Sequence, residues 1–187
     1  AVFAVAPYHL APLLPDHLGD AVRQAVQQLS YHAITTVYLR YPQPLHLPAA
    51  LTGFAHRPTQ WLLDRGRLQH PNEAAAIIST SDLVAESSLH TDGKPDWAAT
   101  AHQDLLQLNP HLPPPEAQQT ITEKRATVAS TVNRRLPDMA DLNAARIWLA
   151  GDWLHDRYPA TLEAAVQTGE RAAQQCLAAL AHTSGTR

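Results

Sequence analysis

The chain has 187 residues, 45% of them hydrophobic and 17% charged, with 14 basic against 17 acidic side chains for a formal charge of -3. That composition gives a domain's worth of core and excludes wholesale disorder, and its slight acidic excess gives no reason to expect nucleic acid as a partner. A single cysteine, Cys176, excludes an internal disulfide and any cysteine-based metal set, and no apolar run reaches the roughly 18 residues that span a bilayer, so the chain reads as soluble or at most peripheral.

Residues 1–6 (Ala-Val-Phe-Ala-Val-Ala) read as a buried strand already under way, of the kind covered on both faces in a parallel sheet, and Pro7 ends it. With no charged leader and no initiator Met before it, this start predicts a piece of something longer. Two short helical stretches follow, at 9–14 and from Asp16 or Gly19 to Leu29, the second with Leu18, Val22, Val26 and Leu29 on one face. Residues 34–41 are the clearest strand, with Ile34, Thr36, Tyr38 and Arg40 on one side and Thr35, Val37, Leu39 and Tyr41 on the other. Pro42, Pro44 and Pro48 make the next stretch an extended loop.

Two further strands are predicted near 59–64 and 75–80, the first of them one arm of a hairpin turning at Arg65-Gly66. Apolar spacing gives a helix over 96–108 that Pro110 closes, and residues 113–115 (Pro-Pro-Pro) form a stiff spacer. Strand character returns at 119–129 and again at 147–150, before a long C-terminal helix at 160–181. The fold class is α+β: a mixed, largely antiparallel sheet with flanking helices, ending in a strand-loop-helix unit.

That last unit carries the chemistry. An apolar strand ends in Gly151-Asp152, and Tyr158-Pro159-Ala160-Thr161-Leu162 leads into a helix. Its expected apolar stripe is Leu162, Ala165, Val166, Gly169, Ala172, Ala173, Cys176, Leu177 and Leu180. A helix start offers unpaired N–H groups and about half a positive charge, which suit a phosphate, a carboxylate or an electron-rich carbonyl. An Asp at a strand's C-terminal end can accept hydrogen bonds from sugar hydroxyls. A plain packed strand-loop-helix with a satisfied Asp explains the same residues on geometry alone.

The segments 149–153 (Leu-Ala-Gly-Asp-Trp), 158–163 (Tyr-Pro-Ala-Thr-Leu-Glu) and 169–173 (Gly-Glu-Arg-Ala-Ala) resemble the C-terminal flavin signature of the FAD-dependent amine oxidase and phytoene desaturase superfamily. Within it the chain is most similar to the squalene-associated hydroxysqualene dehydroxylase branch of bacterial hopanoid biosynthesis. That branch also shows segments similar to 34–39, 60–66 and 121–127, and 3–7 resembles the strand that leaves the FAD domain. The resemblance therefore covers nearly the whole chain. It implies that residues 1–7 end an FAD-domain strand, 8–145 form the substrate-binding domain, and 146–187 are the last strand and helix of a Rossmann-like FAD domain.

It implies further that Asp152 holds the ribityl or ribose region of FAD, and that the backbone around Gly151 and Trp153 approaches the pyrophosphate. The N–H groups near Tyr158, Pro159, Ala160, Thr161 and Leu162 (Pro159 having none) would face the flavin C2 carbonyl, where a helix dipole stabilises the negative charge of a reduced flavin. The family has Gly-Ala after the Glu, whereas Ala164-Ala165 follow Glu163 here. The seven glycines hold no GxGxxG, so the resemblance places the dinucleotide fingerprint in a missing N-terminal FAD-binding half and implies that the isolated fragment binds FAD weakly or not at all and is inactive. It also implies a cytoplasmic protein with an isoprenoid substrate and peripheral contact with the inner membrane.

Other constellations carry less. Eleven histidines show no metal-ligand spacing, and no serine sits in a nucleophile elbow, so no metal site and no hydrolase triad is expected. Cys176 reads as packing. In Glu123-Lys124-Arg125, alternation puts Glu123 and Arg125 on one strand face and Lys124 on the other. Either this is a half-solvated strand with cross-strand ion pairs, or Lys124 or Arg125 reaches a substrate cavity. Tyr38, Trp61 and Phe54 suit the lining of an apolar cavity and suit core packing equally. The combined expectation is an FAD-dependent oxidoreductase that removes the hydroxyl of hydroxysqualene to give squalene. The alternatives are an amine oxidase, a carotenoid desaturase, and a non-catalytic lipid-binding or interaction module.

Overall fold

A computed structural model describes residues 1–68, 70, 72–80, 95–132 and 134–184. In chain order the strands are β1 (Val2–Phe3), β2 (Tyr31–Arg40), β3 (Leu51–Gly53), β4 (Trp61–Asp64), β5 (Glu73–Thr80), β6 (Ala117–Val128) and β7 (Trp148–Leu149). The helices are α1 (Pro7–Leu10), α2 (Asp20–Gln27), α3 (Trp97–Leu106), α4 (Ala140–Ala144) and α5 (Leu162–Ser184). Short 3-10 turns lie at Ala11–Leu13, Arg65–Arg67 and Asp152–Leu154. The chain forms two compact units, one of residues 1–30 with 128–187 and one of 31–127. Among the described residues no helix is long and apolar enough to cross a membrane.

In the 31–127 unit a five-stranded sheet has the order β3-β4-β5-β2-β6. Its β3/β4, β4/β5 and β5/β2 pairs are antiparallel, with Thr36 opposite Ile77 and Ile77 opposite Trp61. The β2 alternation holds: Thr35, Val37, Leu39 and Tyr41 are fully buried or nearly so, and their neighbours are not. Val37, Leu39, Leu62, Ala76 and Ile78 form the core with Ala98, Ala101 and Leu105 of α3, and Leu45 and Leu47 of the proline-rich loop close it. Asp96 caps α3 by accepting the Ala99 N–H at 2.9 Å. The hairpin at Arg65-Gly66 forms between β4 and β5. Its Asp64 carboxylate, 5% exposed, accepts the Gly66 N–H at 3.0 Å. Strand β3 gave no signal in the sequence, because its three residues are too few to show a period.

The other unit joins the two ends of the chain. β1 and β7 pair in parallel, Val2 opposite Trp148 and Phe3 opposite Leu149. The expected strand over 1–6 is thus only two residues long, and Val2 is 44% exposed. The helix expected from Asp16 or Gly19 begins at Asp20. Gly19 stands before it at φ 77°, where an added Cβ would lie 2.9 Å from the Leu14 side chain. The Arg23 guanidinium donates to the carbonyls of Leu14 at 2.9 Å and Pro15 at 2.7 Å, and also to that of Leu18, tying down the preceding loop.

The long C-terminal helix corrects the expected apolar stripe. Ala164, Thr168 and Ala172 are its buried line, with Ala172, Cys176 and Ala179 packed on Trp148 and Ala150. Leu162 (89%), Val166 (55%), Leu177 (66%) and Leu180 (53%) are exposed. Small side chains let the helix backbone lie close to β7, and the large apolar ones fall to its other side.

Candidate functional site

The residues singled out at the strand-loop-helix meet around the end of β7. Gly151 is locked to the second turn of α5: its N–H donates to Thr168 Oγ1 at 3.0 Å, and Thr168, 3% exposed, offers its own proton within 2.9 Å of the Ala164 carbonyl. Gly151 sits at φ 157° and ψ 151°, and a Cβ there would lie 2.7 Å from both Cδ1 and Nε1 of Trp153. The chain then turns inward, burying Trp153, Leu154 and His155. Arg134 fixes this turn with two 2.6 Å hydrogen bonds, to the Trp153 and His155 carbonyls. Two donors on one rigid guanidinium hold two carbonyls of the turn, two residues apart, in a fixed fork that a lysine lacks.

Asp152 remains half-buried, and its carboxylate makes no hydrogen bond or ion pair among the described residues. From His155 the loop runs back to α5. Thr161 Oγ1 accepts the Ala164 N–H at 3.1 Å and donates to the Tyr158 carbonyl at 3.0 Å, so Thr161 caps the helix. Ala160 is held at φ 62°. The first N–H groups of α5 have no intrahelical acceptor and carry the positive end of a 23-residue helix. The methyl of Ala164, where the family has glycine, is fully buried without displacing the helix from Gly151.

A lone half-buried carboxylate beside a helix start fits a ligand that is rich in hydroxyls at one end and electron-rich at the other. His155, Arg134, Gln167 and Thr168 were not legible as site residues. Their roles depend on backbone groups, and for Gln167 on the His155 and Tyr158 side chains, brought close by the turn, and no spacing announces that.

The substrate-side candidates lie in the 31–127 unit. Tyr38 and Trp61 share the sheet face that α3 does not cover, separated by β5. Trp61 is 49% exposed, and Tyr38 lies under the Arg65 guanidinium, 5.0 Å from ring to carbon. Thr36, Tyr38, Leu63, Ala75 and Ile77 line a groove of about 380 Å³ on that face, with Arg65 at one end paired to Glu73 at 3.5 Å. Phe54 packs against the core instead. Lys124 and Arg125 lie on β6, an edge strand exposed from Gln118 to Arg125. Arg125 is 5.9 Å from the Tyr31 ring, and its N–H donates to Glu123.

On the core side of the same unit, the Tyr41 hydroxyl meets His102 Nδ1 at 2.9 Å. Burial pushes the Tyr41 pKa far above its ordinary value of 10.0 and lowers that of His102 from 6.5. Burial thus favours the neutral form of both groups.

The architecture is that of flavin-dependent oxidases. Wild-type putrescine oxidase bound to putrescine superposes with a TM-score of 0.62 at 17% identity, over 95% of this chain and 42% of that one. At that identity the likeness speaks for the fold. The sequence goes further: residues 1–177 match the model of the flavin containing amine oxidoreductases, and the chain belongs to that family. Among its relatives, hydroxysqualene dehydroxylase of Rhodopseudomonas palustris is 31% identical over 179 residues, 95% of this chain and 38% of the relative. The enzyme of the same name from Zymomonas mobilis is 44% identical over 62 residues, 32% of this chain and 14% of the relative. The chain thus spans well under half the length of these relatives.

Proposed function

We propose that this chain is the C-terminal part of an FAD-dependent oxidoreductase that removes the hydroxyl of hydroxysqualene to give squalene. The observation that carries this reading is the match along nearly the whole chain to the R. palustris hydroxysqualene dehydroxylase, together with membership of the flavin family. In this reading residues 1–7 and 146–187 belong to a Rossmann-like FAD domain and 8–145 to the substrate domain. The exposed Leu162, Val166, Leu177 and Leu180 support a further portion of protein packing on α5, because such a line of large apolar side chains favours cover over water.

Asp152 accepts hydrogen bonds from the ribityl or ribose hydroxyls, and the backbone at Gly151 and Trp153 approaches the pyrophosphate. The N–H groups of Ala160 and Leu162, beside the Thr161 cap and between Tyr158-Pro159 and the helix, meet the flavin C2 carbonyl. The unpartnered, half-buried Asp152 and the capped start of α5 support these roles. In its reduced form the cofactor supplies hydride to an allylic, carbocation-like carbon. The protein's work is then to bind a long apolar chain, hold it still and keep water away, without a protein nucleophile. Tyr38 and Trp61 offer apolar contact for the isoprenoid, and Lys124 and Arg125 a positive charge for the departing hydroxyl. Peripheral contact with the inner membrane would deliver so insoluble a substrate. Alone, the 187 residues hold FAD weakly or not at all and do not turn over.

The test is a chimera in which this chain replaces the matching 38% of the R. palustris protein. Incubated with FAD, a reductant and hydroxysqualene, it is expected to release squalene, read by gas chromatography. Substituting Asp152→Ala in the chimera should weaken FAD binding by roughly tenfold or more, the loss of charged hydrogen bonds. A folded, FAD-loaded chimera that forms no squalene would refute the substrate assignment.

A further inference from the structure

Along the loop that enters α5, each hydrogen-bonding group is assigned by a neighbour with only one choice. The Glu163 carboxylate can only accept, so its 2.7 Å contact makes Gln167 Nε2 the donor and turns the Gln167 Oε1 the other way. That Oε1 lies 3.1 Å from His155 Nε2 and 3.0 Å from the Tyr158 hydroxyl. A carbonyl oxygen can only accept, so His155 carries a proton on Nε2. The other ring nitrogen is assigned independently. The N–H groups of Arg157 and Tyr158 point at His155 Nδ1 from 3.2 and 3.3 Å, and they can only donate. Both ends of the ring therefore agree on the neutral Nε2–H tautomer. The Asp156 carboxylate, 3.7 Å from Nδ1 and 71% exposed, is outside hydrogen-bonding distance and does not compete. The imidazole is 4% exposed and stacks on Tyr158 with ring centres 4.0 Å apart.

We propose that His155 is a positioning residue, whose neutral Nε2–H form ties residues 156–158 to the second turn of α5 and so sets the approach of residues 158–162 to the helix start. The tie continues through the Tyr158 carbonyl, which accepts from Thr161 Oγ1, and through Thr161, which caps Ala164. Its importance to a cofactor rests on the flavin reading above; its action on the loop does not. Asp152 and the α5 start can recognise one ligand together only if this loop keeps them in register, and His155 bonds to the loop backbone through Nδ1 and to the helix through Nε2.

Two substitutions separate the two arms of the ring. His155→Asn places an oxygen near Nδ1 and lacks the reach to Gln167, whereas His155→Gln places an amide nitrogen near Nε2 and lacks the acceptor for the loop. In the wild-type chain, imidazole nitrogen NMR should show a bare Nδ1 and a protonated Nε2. The Arg157 and Tyr158 amides should exchange near the wild-type rate in His155→Asn and roughly tenfold faster in His155→Gln. A protonated Nδ1, or equal exchange in all three proteins, would overturn the proposal. FAD titrated into R. palustris chimeras carrying the same substitutions should bind severalfold more weakly to His155→Gln than to His155→Asn. Equal affinity despite a released loop would overturn the positioning role. If the wild-type chimera binds no FAD, the flavin reading fails and the exchange result alone decides the role of His155.

Discussion

Replacing Gly151 with alanine tests whether the close contact at the end of β7 holds the site together. A Cβ at this position lies 2.7 Å from two atoms of the Trp153 indole, about an ångström inside the usual carbon contact distance of 3.5–4.0 Å. The indole has little freedom to move away: Trp153 is 2% exposed, and Arg134 pins its carbonyl at 2.6 Å. Overpacking of this kind costs about 1–3 kcal/mol, and placing a residue with a Cβ at φ 157° adds about 1 kcal/mol. The expected loss is thus about 2–4 kcal/mol, or a fall in urea midpoint of roughly 1–3 M. Because the chain has two compact units, the unfolding is best followed by hydrogen exchange on peptides from residues 148–172, which report on one unit alone. The near-ultraviolet signal of Trp153 should change as well. A midpoint within roughly 0.3 M of wild type, with that signal unaltered, would show that the turn yields easily and that the glycine is not required.

Arg134→Met keeps much of the stem but removes both hydrogen bonds to the 153–155 turn, and should cost the 148–172 region about 2–4 kcal/mol in the same exchange experiment. Arg134→Lys should recover less than half of that. In the other unit, burial makes folded His102 a weaker base than the unfolded chain's histidine of 6.5. Below that value the unfolded chain binds the extra proton, so stability is complete above 6.5 and falls as pH drops below it. Urea midpoints for the 31–127 unit should show this slope, and His102→Gln should flatten it. Tyr41→Phe should cost about 1 kcal/mol at neutral pH, because the hydrogen bond to His102 Nδ1 is lost while the ring is retained.

Elements whose cause is local were legible in the sequence. The β2 alternation follows from a period of two, α3 from its spacing and Asp96 cap, and the turn at Arg65-Gly66 from residues that favour tight turns. The resemblance of 149–153 and 158–163 to a flavin signature likewise needed only residue order, and it led to the family. Tertiary structure decided which side of α5 is buried. Periodicity offered one wide stripe, but the helix meets the strand along the line of Ala164, Thr168 and Ala172, leaving Leu162 and Leu177 outside. It also decided how short β1 and β7 are, because a parallel pair joins residues some 145 positions apart and nothing local sets its length. His155, Gln167 and Arg134 became site-forming residues for the same reason. The partners of Arg134 and of His155 Nδ1 are peptide groups, which every residue possesses, and Gln167 meets the His155 and Tyr158 side chains, so only the folded path determines which of them a side chain will reach.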